Sequence, residues 1–143
     1  MACFWYVSKY VAPANKASTG GRGYLIMREL AHMGHECVII TSNSNQLAEV
    51  PDMDEPYRVQ QVDGMQLWWV RTLQFRVAKS LRRILSWLHF ECQLYRMPKA
   101  QLPKPDAIII SSLSLLTILN GFFLRRRYGA LLVLEIRDIW PLT

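Results

Sequence analysis

The fold class follows from residues 2–41, ACFWYVSKYVAPANKASTGGRGYLIMRELAHMGHECVIIT. The unbroken apolar run at 2–8 is typical of a strand that is buried on both faces. A loop containing Gly20 and Gly21 leads into residues 22–33, where apolar residues recur at helical spacing. A second apolar run, at 37–40, predicts the next buried strand. The order strand, glycine loop, helix, strand is a βαβ unit, which implies a parallel sheet with a right-handed crossover.

The rest of the chain continues this alternation. The dipeptide Asp63-Gly64, between β-rich runs at 57–62 and 65–71, is a strong hairpin signal. A helix is expected over 74–95, followed by a strand at 106–110, a helix at 113–127 and a strand at 130–136. We therefore predict a Rossmann-like parallel-sheet α/β domain, 1–143, that carries a β-hairpin insertion. Because no helix remains to cover the last strand, we expect the domain to be truncated before its closing elements.

Composition excludes several classes of protein. The chain is 51% hydrophobic, which is too apolar for a disordered tail. Its 143 residues are too few for two full domains. The three cysteines, Cys3, Cys37 and Cys92, form no C-x-x-C pair, so we expect neither a metal site nor a disulfide framework. Serines and a glycine interrupt the apolar stretch at 107–124, which favours a strand and a helix over a membrane span.

The positive charge is concentrated in one part of the chain. The formal net charge is +6, and residues 71–104 contain eight basic residues and one acidic residue. This segment predicts an anionic partner, which could be phosphate groups, acidic lipid headgroups or nucleic acid. No recognised nucleic-acid motif is present, so nucleic acid is the least favoured of the three.

The loop Gly20-Gly21-Arg22-Gly23 stands where a strand is followed by a helix. Backbone N–H groups at such a position bind phosphate or carboxylate, although the glycines could also serve only to shape a turn. The loop lacks the Gly-Lys-Ser/Thr ending of a P-loop. Ile26 stands at the place of the third glycine of a dinucleotide fingerprint, and no acid ends the second strand. We therefore expect no bound NAD, FAD or other cofactor.

Several short motifs recur in the order that they have in one family. They are the run at 20–41, Val62-Asp63-Gly64-Met65, Pro105-Asp106, and Glu135-Ile136-Arg137-Asp138-Ile139-Trp140-Pro141. Together they resemble the N-terminal half of GT-B glycosyltransferases of family 4. The sequence looks most similar to bacterial enzymes that build O-antigen, capsule or other exopolysaccharide on a lipid carrier.

This resemblance implies two Rossmann-like domains with a cleft between them, and sugar transfer that retains the anomeric configuration without a bound metal. The C-terminal domain, which is absent from this chain, would hold the nucleotide-sugar donor, while this domain would bind a lipid-linked or polysaccharide acceptor. The residues that would line the donor phosphates are Gly20, Gly21 and Arg22. Arg137 and Asp138, after the last strand, would face the cleft.

Ser114 departs from the family pattern. It stands where many relatives have a histidine, and a serine cannot be the same acid, base or cation. Because of this difference and the absent nucleotide-binding domain, we expect no turnover by this chain alone.

The helix at 74–95 carries apolar residues on two sides. Its core stripe is expected to comprise Val77, Ala78, Leu81, Ile84, Leu85, Leu88, Cys92 and Tyr95. The other side carries Arg76, Lys79, Arg83, Trp87, Phe90 and Leu94. Cations followed by large apolar groups suit an anionic membrane surface, which predicts a peripheral protein on the inner face of the cell membrane. Burial of this side against the absent domain is the alternative, and a non-enzymatic module that docks through the helix is the alternative function.

Overall fold

The computed structural model describes residues 1–16, 18–45, 49–74, 81–111 and 115–137. In these residues six strands form one mostly parallel sheet, flanked by three α-helices. The strands are β1 (Cys3–Val7), β2 (Glu36–Ser42), β3 (Tyr57–Val62), β4 (Met65–Val70), β5 (Ala107–Ser111) and β6 (Leu131–Glu135). The helices are α1 (Arg22–His32), α2 (Leu81–Arg96) and α3 (Leu115–Tyr128). The predicted order of strands and helices is confirmed. The second helix was expected from Gln74; Gln74 is not helical, residues 75–80 lie outside the described residues, and the helix is described from Leu81.

The strand order is β3-β4-β2-β1-β5-β6, which is compatible with a Rossmann-like fold. All neighbours are parallel except β3 and β4, which pair antiparallel through the turn at Asp63 and Gly64. Both turn residues have positive φ, 50° and 76°, as a tight hairpin requires. The hairpin is therefore present, and its status as an insertion stays a prediction.

Two apolar layers cover the sheet, one on each face. The layer on the side of α1 includes Tyr6, Tyr24, Met27, Ile39 and Trp69. The layer on the side of α2 and α3 includes Trp5, Ile40, Trp68, Phe90, Leu94 and Ile108. On β6, Leu131 and Val133 are exposed, so this outer strand is only partly covered by the described residues.

The structure corrects the expected orientation of α2. Phe90 and Leu94, expected at a membrane surface, are fully buried against the sheet. Leu81 and Leu88, expected in the core, are 79% and 45% exposed. Apolar residues stand on both sides of this helix, and hydrophobic periodicity alone does not distinguish which side faces the sheet.

The apolar stretch at 107–124 divides between β5 and α3. Residues 112–114, between them, are not among the described residues. Among the described helices, none has the length and apolar character needed to cross a bilayer.

Candidate functional site

The two glycines that precede α1 shape the loop rather than present free amides. The N–H of Gly20 donates to Ser18 Oγ at 3.2 Å, and the N–H of Gly21 donates to the carbonyl of Ala12 at 2.7 Å. Gly20 has φ of +95°, and a Cβ there would lie 2.7 Å from the Tyr24 ring. Both amides therefore already have acceptors within the chain, and the expectation that Gly20 and Gly21 line the donor phosphates stays a prediction.

The first turn of α1 supplies the available donors instead. The amides of Arg22, Gly23 and Tyr24 form no hydrogen bond with another described residue, and Gly21 offers no capping side chain. The unsatisfied N–H groups of a helix start carry a partial positive charge that favours an anion. The amides of this turn are therefore candidates to bind an anion, and Arg22, one of the three residues predicted to line the donor phosphates, lies among them.

A network of three side chains ties this turn to the far strand of the sheet. The hydroxyl of Tyr6, on β1, donates to Glu135 Oε2 at 2.6 Å. Arg22 Nε lies 3.0 Å from Glu135 Oε1 in an ion pair. Burial, then the hydrogen bond to the Glu135 carboxylate, raises the pKa of the Tyr6 phenol above its usual range. Tyr6 is therefore a neutral donor at ordinary pH, and it holds Glu135 where it meets Arg22.

Gly23 permits this arrangement. A Cβ at Gly23 would lie 2.4 Å from Tyr6 Cζ, so only a glycine lets α1 pass over the phenol ring.

Ser111 adds a buried hydroxyl beside the network. It ends β5 opposite Glu135, and it is buried. Its Oγ interacts with the Tyr6 phenol and lowers the pKa of that group, against the larger effect of burial, and it has no other partner among the described residues. A buried hydroxyl at the carboxyl end of a parallel strand is a position where an α/β sheet can receive a ligand.

The other predicted site residues have varied positions. Arg137 follows β6 and is exposed, near enough to Tyr6 for its charge to influence that phenol. Ser114, Asp138, Arg76 and Lys79 lie outside the described residues.

Arg83 and Trp87, on α2, are half-buried. Arg83 stacks over the Trp87 indole at 4.9 Å, and that indole donates to the Tyr10 hydroxyl at 2.8 Å. Trp87 thus contacts the loop after β1, with Arg83 stacked on its indole.

Lys9 lies in that same loop and is buried. Its Nζ donates to the carbonyl of Ser44 at 3.0 Å and lies 4.6 Å from the centre of the Tyr10 ring. Burial, then the charge of Arg83, lowers the pKa of Lys9 to about 8. Nothing in the sequence singled out this lysine.

The stability of the fold should consequently depend on pH through Lys9. The pKa of Lys9 is about 8 in the folded chain and about 10.4 in the unfolded chain. Between these two pH values the unfolded chain binds more protons, so the free energy of unfolding rises as pH rises. Lys9→Met removes this titration. Between pH 7.5 and about 10.5, we expect the free energy of unfolding of the wild type to rise by about 2 kcal/mol relative to that of Lys9→Met. Urea unfolding of both proteins at several pH values measures the difference, in which other titrating groups cancel. Parallel stability curves would contradict the assignment.

A cavity of about 410 Å³, lined by both polar and apolar side chains, opens beyond the carboxyl end of β4. Its polar lining includes Asn43, Asp52, Arg71, Gln74 and His89. Burial and the nearby charge of Arg71 lower the pKa of His89, whose Nδ1 accepts the N–H of Leu73. Amide, carboxylate and guanidinium groups together offer the donors and acceptors that hydroxyl-rich ligands need.

Within the described ranges, no cluster of histidine, cysteine or acidic side chains is suited to hold a metal ion. No protein-family model and no curated protein matches the chain. The similarity to GT-B glycosyltransferases therefore rests on the motifs of this sequence.

Sequence reasoning missed Tyr6, Ser111 and Glu135 as a group. The available signal was positional, since each lies in or at the end of a strand that was correctly predicted. A polar residue at the end of an otherwise apolar strand points to the carboxyl edge, where α/β sheets bind ligands.

Proposed function

We propose that this chain is the acceptor-side domain of a retaining GT-B glycosyltransferase, which moves a sugar from a nucleotide-sugar to a lipid-linked or polysaccharide acceptor. The observation that carries the proposal is the group at the carboxyl edge of the sheet. There the amides of Arg22–Tyr24, which have no acceptor among the described residues, the Arg22 guanidinium and the buried Ser111 hydroxyl lie around the Tyr6–Glu135 pair.

The chemistry of this group suits a diphosphate. Helix-start amides and a guanidinium stabilise phosphate oxygens, and they do so most strongly when charge develops on a leaving group. The ion pair with Glu135 places the Arg22 guanidinium beside these amides, although the Arg22 side chain itself is 68% exposed. In the proposed reaction, these residues orient the diphosphate and stabilise its negative charge as the bond to the sugar breaks.

The polar cavity beside β4 supports the acceptor role. It opens at the same edge of the sheet, and its side chains can exchange hydrogen bonds with sugar hydroxyls. We assign it to the polar part of the acceptor. The nucleoside of the donor would be held by the partner domain that the family resemblance implies.

A non-enzymatic α/β binding module is the second candidate. The exposed apolar side of α2 favours it, because an exposed apolar patch marks a surface that binds a partner or a membrane. Such a module would need no catalytic site. The two candidates differ in one property: only the transferase domain requires a diphosphate site at the start of α1.

Calorimetric titration with inorganic pyrophosphate, uridine diphosphate and uridine tests the proposal. We expect pyrophosphate and uridine diphosphate to bind with similar, weak affinity and uridine not to bind. Arg22→Gln should weaken pyrophosphate binding by roughly tenfold, because a charge-assisted contact is lost. Arg126→Gln, a matched change on α3, should leave it unaltered. Absence of pyrophosphate binding, or uridine binding as tight as that of the diphosphate, would refute the assignment.

A further inference from the structure

The outward side of α2 is an unbroken apolar surface. Phe90 and Leu94 fill the side that faces the sheet, so the core does not use the residues opposite to them. The exposed apolar residues of α2 are Leu81, Ile84, Leu85, Leu88 and Tyr95. Their separations of three, one, three and seven residues place them along one side of the helix. Leu81 at 79% exposed and Tyr95 at 59% mark the two ends of the row.

Helix α3 extends this surface. The Tyr95 ring packs against the Phe123 ring, with their centres 5.1 Å apart. Leu119, on the same helix, is 65% exposed. The two helices run alongside each other, since Glu91 accepts hydrogen bonds from Thr117 and Asn120 one turn before the ring contact. The apolar side chains of α2 and α3 therefore form one surface, which we call the α2–α3 face.

The charges around the α2–α3 face have one sign. The exposed arginines of the two helices are Arg82, Arg96, Arg125, Arg126 and Arg127. The single acidic residue of these helices, Glu91, is partly buried and bonded to α3. Arg82 stands at the start of α2, whereas the other exposed arginines stand where the two helices end. Cations thus lie at both ends of an apolar strip.

We propose that the α2–α3 face lies flat on an anionic lipid bilayer. Its apolar side chains would enter the boundary between headgroups and acyl chains, while the arginines at both ends meet lipid phosphates. An apolar surface bordered by cations, without exposed acids on either helix, complements anionic headgroups better than a mixed protein surface. The inference does not depend on the transferase proposal, because the face lies on α2 and α3, while the diphosphate group lies at the start of α1.

The chain contains its own reporter for this contact. Cys92 is exposed on α2 between Leu88 and Tyr95, while Cys3 and Cys37 are buried. Burial raises the pKa of the Cys3 thiol to about 12 and that of the Cys37 thiol to about 11, so both should react slowly. A polarity-sensitive fluorophore should therefore attach selectively at Cys92 of the full chain.

The experiment measures binding of the labelled chain to phosphatidylcholine vesicles with and without about 30% phosphatidylglycerol. We expect a blue shift and co-sedimentation with the anionic vesicles, and at least roughly tenfold weaker binding at about 0.5 M salt or without the anionic lipid. Alkylation of unlabelled Cys92 should be slower with vesicles than without them, which gives an independent measure of the contact.

Matched variants locate the contact. Leu85→Glu with Leu88→Glu should reduce vesicle binding by roughly tenfold or more, while leaving the fold intact because both side chains are about half exposed. Met33→Glu with Val59→Glu adds the same charge at exposed apolar positions elsewhere and should reduce binding much less. Circular dichroism and urea unfolding verify that each variant folds.

Three results would overturn the proposal. The first is that the wild type binds neither kind of vesicle. The second is that both double variants lose binding equally, which would mean that charge alone governs it. The third combines two observations: the wild type is a dimer that Leu85→Glu with Leu88→Glu converts to a monomer, and vesicles leave the emission of the Cys92 fluorophore unshifted. The α2–α3 face would then be a protein interface.

Discussion

Replacing Phe90 by alanine is expected to lower the free energy of unfolding by about 3–5 kcal/mol. Phe90 is fully buried, in the layer that joins α2 to the sheet. Truncation removes apolar contacts and leaves a cavity that the other side chains of this layer, held by the sheet, cannot fill. Urea unfolding followed by circular dichroism measures the loss.

Leu88→Ala is the matched control for this prediction. Leu88 lies on the opposite side of α2 and is about half exposed, so its truncation should cost less than about 1 kcal/mol. If Leu88→Ala proved the more damaging of the two changes, the helix would face the sheet with the side originally expected from periodicity.

Gly23→Ala is expected to destabilise the protein by about 1–3 kcal/mol, although alanine is the better helix former. The new methyl group would lie 2.4 Å from the buried Tyr6 ring, so the ring must move. That movement would separate the Tyr6 hydroxyl from Glu135 and release Arg22 from its fixed position. Thermal or urea unfolding tests the stability, and pyrophosphate titration tests the accompanying loss of binding.

Gly21→Ala provides the comparison at the neighbouring glycine. Gly21 has φ of −77°, and the nearest atom to an added Cβ, that of Ala12, is at an ordinary 3.5 Å. Its cost should stay below about 1 kcal/mol, which is the usual loss from a weaker helix cap. Equal effects at the two positions would argue that the loop, rather than the contact with Tyr6, determines stability.

Much of the fold could be predicted because local signals agreed. Continuous apolar runs marked β1 and β2, and the Asp63-Gly64 turn marked the hairpin, since few residue pairs adopt two successive positive φ values. These features depend on neighbours in sequence, and therefore a single sequence contains them.

The features that could not be predicted depend on distant residues. Tyr6 and Glu135 are 129 residues apart, and their contact follows from strand order rather than from a motif. The amides of Gly20 and Gly21 were assigned to a ligand, but loop acceptors use them, which only the loop's path reveals. On α2, the sheet-facing side was settled by how Phe90 and Leu94 fit between the sheet side chains.

We propose that the first turn of α1 and the Arg22–Glu135 pair bind a diphosphate. A two-dimensional ¹H–¹⁵N spectrum of the labelled chain, titrated with inorganic pyrophosphate, tests it residue by residue. We predict that the largest saturable shifts fall on the amides of Arg22, Gly23 and Tyr24 and on Arg137. Shifts confined to the arginines that end α3, or absent at millimolar pyrophosphate, would contradict it.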